Sequence, residues 1–334
     1  MARFDHILVI RGGAIGDFIL TMPVLAALRE SYPTARIELL ANPSVGSLAV
    51  YFGFADKVRD LGSIPFVPLF ADNRNCPQEV AVWLSGFDLI VSYTHDPLQV
   101  FQTNIRRYTK AQFIAGPHRP DELSASHASE QLLQPVSDFI SSSFDVGRWK
   151  LDVERSSTDF SPSPPPREER VGERRHHLTL FNGGPSPSAT IAIHSGSGSP
   201  QKNWPQEKWG AFLQHLVATT DDKILLIGGE AERETLPALA KLVPQNRSQL
   251  ALELPLVELM ELLKQCRVFI GHDSGPTHLA AILGLDCIVL WGPSNERVWR
   301  PLGERVEILR HAQTLKDLPV ETVVNALNSL LTTP

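Results

Sequence analysis

Cysteine is scarce in this chain: Cys76, Cys266 and Cys287 are the three among 334 residues, and they lie far apart. Three distant thiols exclude a disulfide-stapled scaffold and a four-cysteine zinc site, and they fit a reducing compartment. Long apolar runs are missing too. None approaches the roughly 18 residues a membrane-spanning helix needs, and the first residues lack the charged-then-apolar pattern of a secretory signal. Positive charge is also short: 31 Lys and Arg against 37 Asp and Glu leave a formal net charge of −6. That balance argues against broad nucleic-acid binding. Together these absences predict a soluble cytoplasmic protein that is not integral to a membrane.

What is present is ordinary globular composition, 43% hydrophobic and 20% charged, suited to packed cores rather than disorder. At about 150 residues per domain, the length predicts two domains. Proline is in excess, with 26 residues, several of them crowded into Ser156–Ser188 around Ser-Pro-Ser-Pro-Pro-Pro at 161–166. Proline fixes φ and removes a backbone donor, so this stretch reads as an extended interdomain linker. The expected organisation is a first domain over 1–155, a linker over 156–188, a second domain over 189–318 and a C-terminal helix over 319–334 that packs on the domains.

The same grammar repeats on both sides of the linker. Short apolar strand runs fall at Ile7–Ile10, Ile37–Ala41, Leu89–Ser92, Phe113–Ala115, Thr190–His194, Lys223–Ile227, Val268–Ile270 and Cys287–Trp291. Between them lie helical stretches at Asp17–Ser31, Pro205–Thr220, Glu230–Leu242, Leu256–Gln265 and Pro276–Leu283, with Val320–Leu331 at the end. Strands alternating with amphipathic helices predict α/β units, parallel sheets and right-handed crossovers, hence two doubly wound halves. Ligands of such sheets bind beyond the carboxyl ends of the strands, so a cleft between the halves is the expected site.

The residues that follow the strands are therefore the ones to weigh. Arg11-Gly12-Gly13-Ala14-Ile15-Gly16-Asp17 joins the first strand to the first helix. A dinucleotide fingerprint would need glycine where Arg11 stands, and a carboxylate at the helix start repels a pyrophosphate, so a nicotinamide site is disfavoured. Asp17 either caps its helix or, with glycines that let a second molecule approach, serves as a general base. In the second half, Ser195-Gly196-Ser197-Gly198-Ser199 and then Lys202 supply hydroxyls, amides and a cation suited to phosphate oxygens, although a flexible turn looks alike. Glu230, after Gly228-Gly229, either caps a helix or accepts from ribose hydroxyls. Asp273-Ser274-Gly275-Pro276-Thr277-His278 reads as Asp273 at the N-cap, Pro276 in the first turn and Gly284 at the helix end, with an open helix start and an imidazole suited to a diphosphate.

The pairing of Ile7-Leu8-Val9-Ile10-Arg11-Gly12-Gly13-Ala14-Ile15-Gly16-Asp17 with Asp273-Ser274-Gly275-Pro276-Thr277-His278-Leu279-Ala280-Ala281 resembles glycosyltransferase family 9, the heptosyltransferases of lipopolysaccharide core assembly. Lys202-Asn203-Trp204-Pro205 and Trp291-Gly292-Pro293 fit as well. The resemblance implies a GT-B architecture of two Rossmann-like domains facing a central cleft. It further implies inverting transfer of a heptose from an ADP-heptose donor, bound by the second domain, to an amphiphilic acceptor of the Kdo–lipid A core at the inner-membrane surface. It makes Asp17, flanked by Gly12 and Gly13 on the acceptor side, the catalytic base, and Lys202 the contact to the donor phosphate. Glu230 would hold the ribose and Asp273 would lie near the donor sugar. Ser274, Gly275 and His278 would bind the diphosphate, with Ser195, Gly196 and Ser197 also at the donor. No cofactor and no obligatory metal ion are expected, since no acidic pair stands at metal-ligand spacing. Arg106, Arg107, Lys110, His118 and Arg119 form a basic run that either faces anionic lipid or is a plain solvated face. The alternatives are a related transferase with another nucleotide sugar or acceptor, a nicotinamide dehydrogenase, and a nucleotide-sugar-binding protein without catalysis.

Overall fold

The computed structural model describes residues 4–72, 74–146 and 190–332, so the proline-rich stretch at 156–188 lies outside the described residues. The described chain falls into two compact units, one of residues up to 146 with Glu296–Trp299, the other of residues 190–295 and 300–332.

In the first unit the elements run β1 (His6–Arg11), α1 (Ile15–Ser31), β2 (Arg36–Ala41), α2 (Pro43–Tyr51) and β3 (Lys57–Asp60). A 3-10 helix (Ile64–Phe70) follows, then α3 (Gln78–Ser85), β4 (Leu89–Ser92), α4 (Val100–Arg106), β5 (Gln112–Ala115) and α5 (Ala128–Leu133). All pairings are parallel, in the order β3-β2-β1-β4-β5. β1 is buried on both faces from Ile7 to Arg11, which is why it reads as a continuous apolar run without alternation. On one face, Leu8, Ile10 and Ile90 pack with Phe66, Leu84 and Phe101. α1 was expected to be amphipathic. It is buried continuously from Phe18 to Leu28, Pro23 included, because α2 and α5 both pack against it.

The second unit runs β6 (Thr190–His194), α6 (Gln206–Thr219), β7 (Lys223–Gly228), α7 (Leu236–Ala240), β8 (Ser248–Leu252), α8 (Leu256–Leu263) and β9 (Val268–His272). It continues with α9 (Gly275–Ile282), β10 (Asp286–Leu290), β11 (Val306–Leu309) and α11 (Val320–Thr332), with α10 (Glu296–Trp299) lying between the last two strands in sequence. This sheet is also wholly parallel, ordered β11-β10-β9-β6-β7-β8. Ile191, Ile193, Trp209, Phe212 and Leu226 centre its core, and α11 closes it with Val323, Val324 and Leu327.

Both sheets are thus doubly wound, as expected. The single helix anticipated over Glu230–Leu242 is instead a 3-10 turn at Glu230–Glu232 followed by the short α7. Pro237 near the start of α7 cannot donate to a preceding turn, so one continuous helix is not available. The windings reverse direction between β1 and β4 in the first sheet and between β6 and β9 in the second. Those two switch points are where a doubly wound sheet leaves a crevice.

At the first switch point, Tyr93 is buried and its hydroxyl donates to the Leu132 carbonyl at 2.7 Å. A methyl on Gly116 would overlap that ring, and the anchored hydroxyl keeps the ring from yielding. Gly116→Ala is therefore expected to destabilise the protein by about 1–3 kcal/mol, read as a lower urea midpoint at unchanged slope.

Candidate functional site

The loop after β1 is organised by a buried cation. Arg11, 2% exposed, donates through Nη1 to the carbonyls of His118 (2.8 Å) and Tyr93 (3.3 Å), and its Nη2 lies 3.7 Å from Asp17 Oδ1. Burial works against its charge, and Asp17 offsets part of that. Its Nε finds no hydrogen-bond partner among the described residues. Asp17 is the third residue of α1, and its Oδ2 accepts from the Ala14 amide at 3.1 Å. The carboxylate thus caps the helix and still keeps about a third of its surface exposed, 34%. Capping and availability to a ligand are compatible here. Gly13 has φ +107°, and a Cβ there would stand 2.8 Å from Asp17 Oδ2, so this turn admits glycine alone. At Gly12 a Cβ would meet only ordinary contact with Leu61.

Beside this loop, a cavity of about 310 Å³ is lined by Thr94, His95, Asp96, Gln102 and His118, among others. The His95 and His118 rings lie 4.3 Å apart. Burial, then the charges of His95, Arg11 and Arg119, push His118 below its ordinary pKa, with Asp17 pulling the other way.

The second switch point gathers most of the donor-side residues read from the sequence. Asp273 is its hub, 8% exposed. Its Oδ2 accepts from Lys202 Nζ (2.6 Å) and Ser294 Oγ (2.6 Å), and Oδ1 lies 3.7 Å from His278 Nε2. Burial pushes its pKa up, but the nearby His278 and the hydrogen bonds from Lys202 and Ser294 reverse that and hold it well below the usual carboxylate range. Asp273 is therefore not the N-cap. Ser274 occupies that position, makes no side-chain bond to the helix amides, and turns its Oγ to His194 Nδ1 (3.2 Å) and Thr277 Oγ1 (3.1 Å). The start of α9 stays uncapped, while Gly284, at φ +84°, follows its end. His278 is buried and faces Asp273 rather than an open surface.

The loop after β6 wraps the same place. Ser195 is fully buried, and its Oγ has no hydrogen-bond partner among the described residues. Gly196 passes so close to Glu232 that any Cβ would overlap its carboxylate. Ser197 spends its hydroxyl on Asn203 and the Ser199 carbonyl, closing the turn itself. Lys202 ends a 3-10 turn, Pro200–Lys202.

His272, Glu232 and His194 hold this assembly and, like Ser294, are residues that sequence reasoning passed over. His272 is fully buried; its Nδ1 bonds the Gly196 carbonyl (3.1 Å) and its Nε2 accepts from the Trp204 amide (2.8 Å). Glu232 accepts from the Gly229 amide at 2.8 Å and lies 3.8 Å from His194 Nε2. The nearby His194 imidazole outweighs burial in lowering its pKa. Glu230, by contrast, stays exposed at the end of β7. Two acids two residues apart gave no sign of which one turns inward. Among the described residues, no group of three or more His, Cys, Asp or Glu side chains is placed to hold a metal ion.

Residues 123–326, more than half of the chain, match glycosyltransferase family 9 (heptosyltransferase). A Haemophilus influenzae protein whose name claims no more than a glycosyltransferase is 26% identical over 321 residues, spanning 90% of this chain and 87% of that one. Lipopolysaccharide heptosyltransferase 3 of Escherichia coli K12 is 22% identical over 359 residues, with 95% of each chain covered. Among solved structures, E. coli heptosyltransferase WaaC with ADP superposes with a TM-score of 0.71 at 14% identity, over 97% of this chain and 99% of that one.

His272 makes the folded site sensitive to acid. Burial, the main cause, lowers its pKa from the ordinary 6.5 to about 4. Between those values the unfolded chain binds the extra proton, so stability falls as pH drops through the window, by up to about 3 kcal/mol. His272→Gln is expected to be less stable at pH 7 and to lose that slope, as read by urea unfolding across pH 4–7.

Proposed function

The chain belongs to glycosyltransferase family 9 and is a glycosyltransferase, and from that premise we propose that it is an inverting enzyme transferring a heptose from ADP-heptose to a hydroxyl of a lipopolysaccharide inner-core acceptor of Kdo–lipid A type. The relatives support this reading by their names, one a lipopolysaccharide heptosyltransferase and one a heptosyltransferase holding ADP. The observation that carries it is Lys202 held 2.6 Å from Asp273 beside the uncapped start of α9. An ammonium has three donors; one is spent on Asp273, and the others remain for phosphate oxygens.

In this reading the acceptor oxygen attacks the anomeric carbon of the heptose and gives its proton to Asp17. The bond from that carbon to the diphosphate oxygen breaks, and ADP leaves from the opposite face with the bonding pair. Negative charge grows on the diphosphate, and Lys202 with the first-turn amides of Gly275 and Thr277 meets it. Ser274, anchored to His194, lines the same helix start. The unpartnered Ser195 hydroxyl and the Gly196 backbone complete the donor loop, and Glu230 is the exposed acid for the ribose. Asp273 and His278 act by holding Lys202 and the helix start in place. Gly12 and Gly13 keep the approach to Asp17 free of side chains. Lys202 and the amides supply the charge compensation, so no divalent ion is required. The acceptor is membrane-borne, and the enzyme would meet it as a peripheral protein at the cytoplasmic face of the inner membrane. Among the described residues, no helix is long and apolar enough to cross a membrane.

Incubation with ADP-heptose and Kdo–lipid A, read by mass spectrometry, tests the reading. An acceptor heavier by one heptose is expected, unchanged by chelator; turnover of a different nucleotide sugar with none of ADP-heptose sinks it. Asp17→Asn should lower kcat by roughly 10²–10⁴-fold with ADP affinity unchanged. Lys202→Ala should weaken ADP binding and slow turnover together.

A further inference from the structure

Six large apolar side chains stand exposed among the described residues, Ile64, Val67, Phe70, Val82, Leu98 and Leu123, and all belong to the first unit. Three of them share the 3-10 helix Ile64–Phe70. In that helix, side chains at i and i+3 eclipse and each residue rises about 2.0 Å, so Ile64, Val67 and Phe70 form one ridge about 12 Å long. They are 85%, 56% and 46% exposed. The opposite side of the helix, Phe66 and Leu69, is buried in the core. Pro65 and Pro68 stiffen the segment. Phe70 stacks on Phe101 at 4.5 Å, and Asn104 Nδ2 donates to the carbonyls of Leu69 (3.0 Å) and Ala71 (2.9 Å). The ridge is thereby locked outward.

The helix that locks it, α4, is preceded by Leu98, 83% exposed. From Val100 to Lys110 the chain carries Arg106, Arg107 and Lys110, all exposed, and no acid. Arg107 caps the C-terminal end of α4, three residues beyond Asn104. Of the nearby acids, Asp96 accepts the Phe101 and Gln102 amides and Asp60 the Gly62 amide, while Asp72 and Arg74, two residues apart in sequence, are both exposed. Three side chains on a 12 Å ridge fall far short of the roughly 1,000 Å² of a stable protein interface. Shallow apolar insertion flanked by cations suits a lipid surface instead.

We propose that this ridge docks the first unit on an anionic bilayer, with Ile64, Val67, Phe70 and Leu98 entering the boundary between headgroups and acyl chains and Arg106, Arg107 and Lys110 meeting lipid phosphates. The docking draws its purpose from the membrane-borne acceptor proposed above, but its test does not use that acceptor. The full chain is sedimented with phosphatidylethanolamine vesicles with and without phosphatidylglycerol. Binding that needs phosphatidylglycerol is expected, and Ile64→Ser/Val67→Ser, which leaves the Phe70–Phe101 stack intact, should weaken it roughly tenfold or more with an unchanged melting temperature. Leu98→Ser alone should act in the same direction, and Arg106→Glu/Arg107→Glu/Lys110→Glu should abolish the phosphatidylglycerol dependence. Equal vesicle binding by the ridge variant overturns the proposal. So does a wild-type chain that ignores vesicles but self-associates through the ridge in sedimentation velocity. Vesicle binding without heptose transfer would leave the docking standing while the transfer reading falls, and the reverse result would separate them the other way.

Discussion

Parallel strand pairing forces each connection to cross back over its sheet, so every loop that follows a strand collects on the same edge. The rest of this protein depends on that constraint. Where the winding reverses, between β1 and β4 and again between β6 and β9, the two loops diverge and leave room for a ligand. Asp17 and Arg11 stand at the first of these places, and Lys202, Asp273 and Ser274 at the second. Residues 71 positions apart, Lys202 and Asp273, come within 2.6 Å only because β6 and β9 are neighbours.

Each switch point is stabilised by a buried charge that is compensated rather than avoided. Arg11 would be costly at 2% exposure without the carbonyls of Tyr93 and His118 and the nearby Asp17. Asp273 is answered by Lys202, Ser294 and His278. His272 takes the other solution, staying neutral so that one ring nitrogen donates and the other accepts. The outcome in the second unit is a loop and a helix start held in fixed relation by the chain's own side chains.

Much of the fold was legible in the sequence. Buried parallel strands are continuous apolar runs, and the stretches around Ile7, Thr190, Lys223 and Val268 became strands nearly as read. Short elements with no strong periodicity, such as β3, α2 and the 3-10 helix at Ile64–Phe70, were not anticipated. Capping chemistry misled at Asp273, because a good N-cap residue was claimed by a lysine 71 positions away, and the N-cap position fell to Ser274, which leaves the helix amides uncapped. Glu230 and Glu232 illustrate the same limit: local sequence offers two acids, and packing against Gly196 decides which is buried.

The sequence by itself determined the doubly wound pattern, the chemical inventory of the loops and the glycines that crowded turns demand, because these follow from periodicity and backbone sterics along a short stretch of chain. Only the tertiary structure decided which side chains meet. The partners of Asp273, the neutral state of His272, the burial of Arg11 and the outward lock on Ile64, Val67 and Phe70 all arise from strand order and cross-chain packing. Such contacts depend on distance in space, and sequence separation carries almost no information about it.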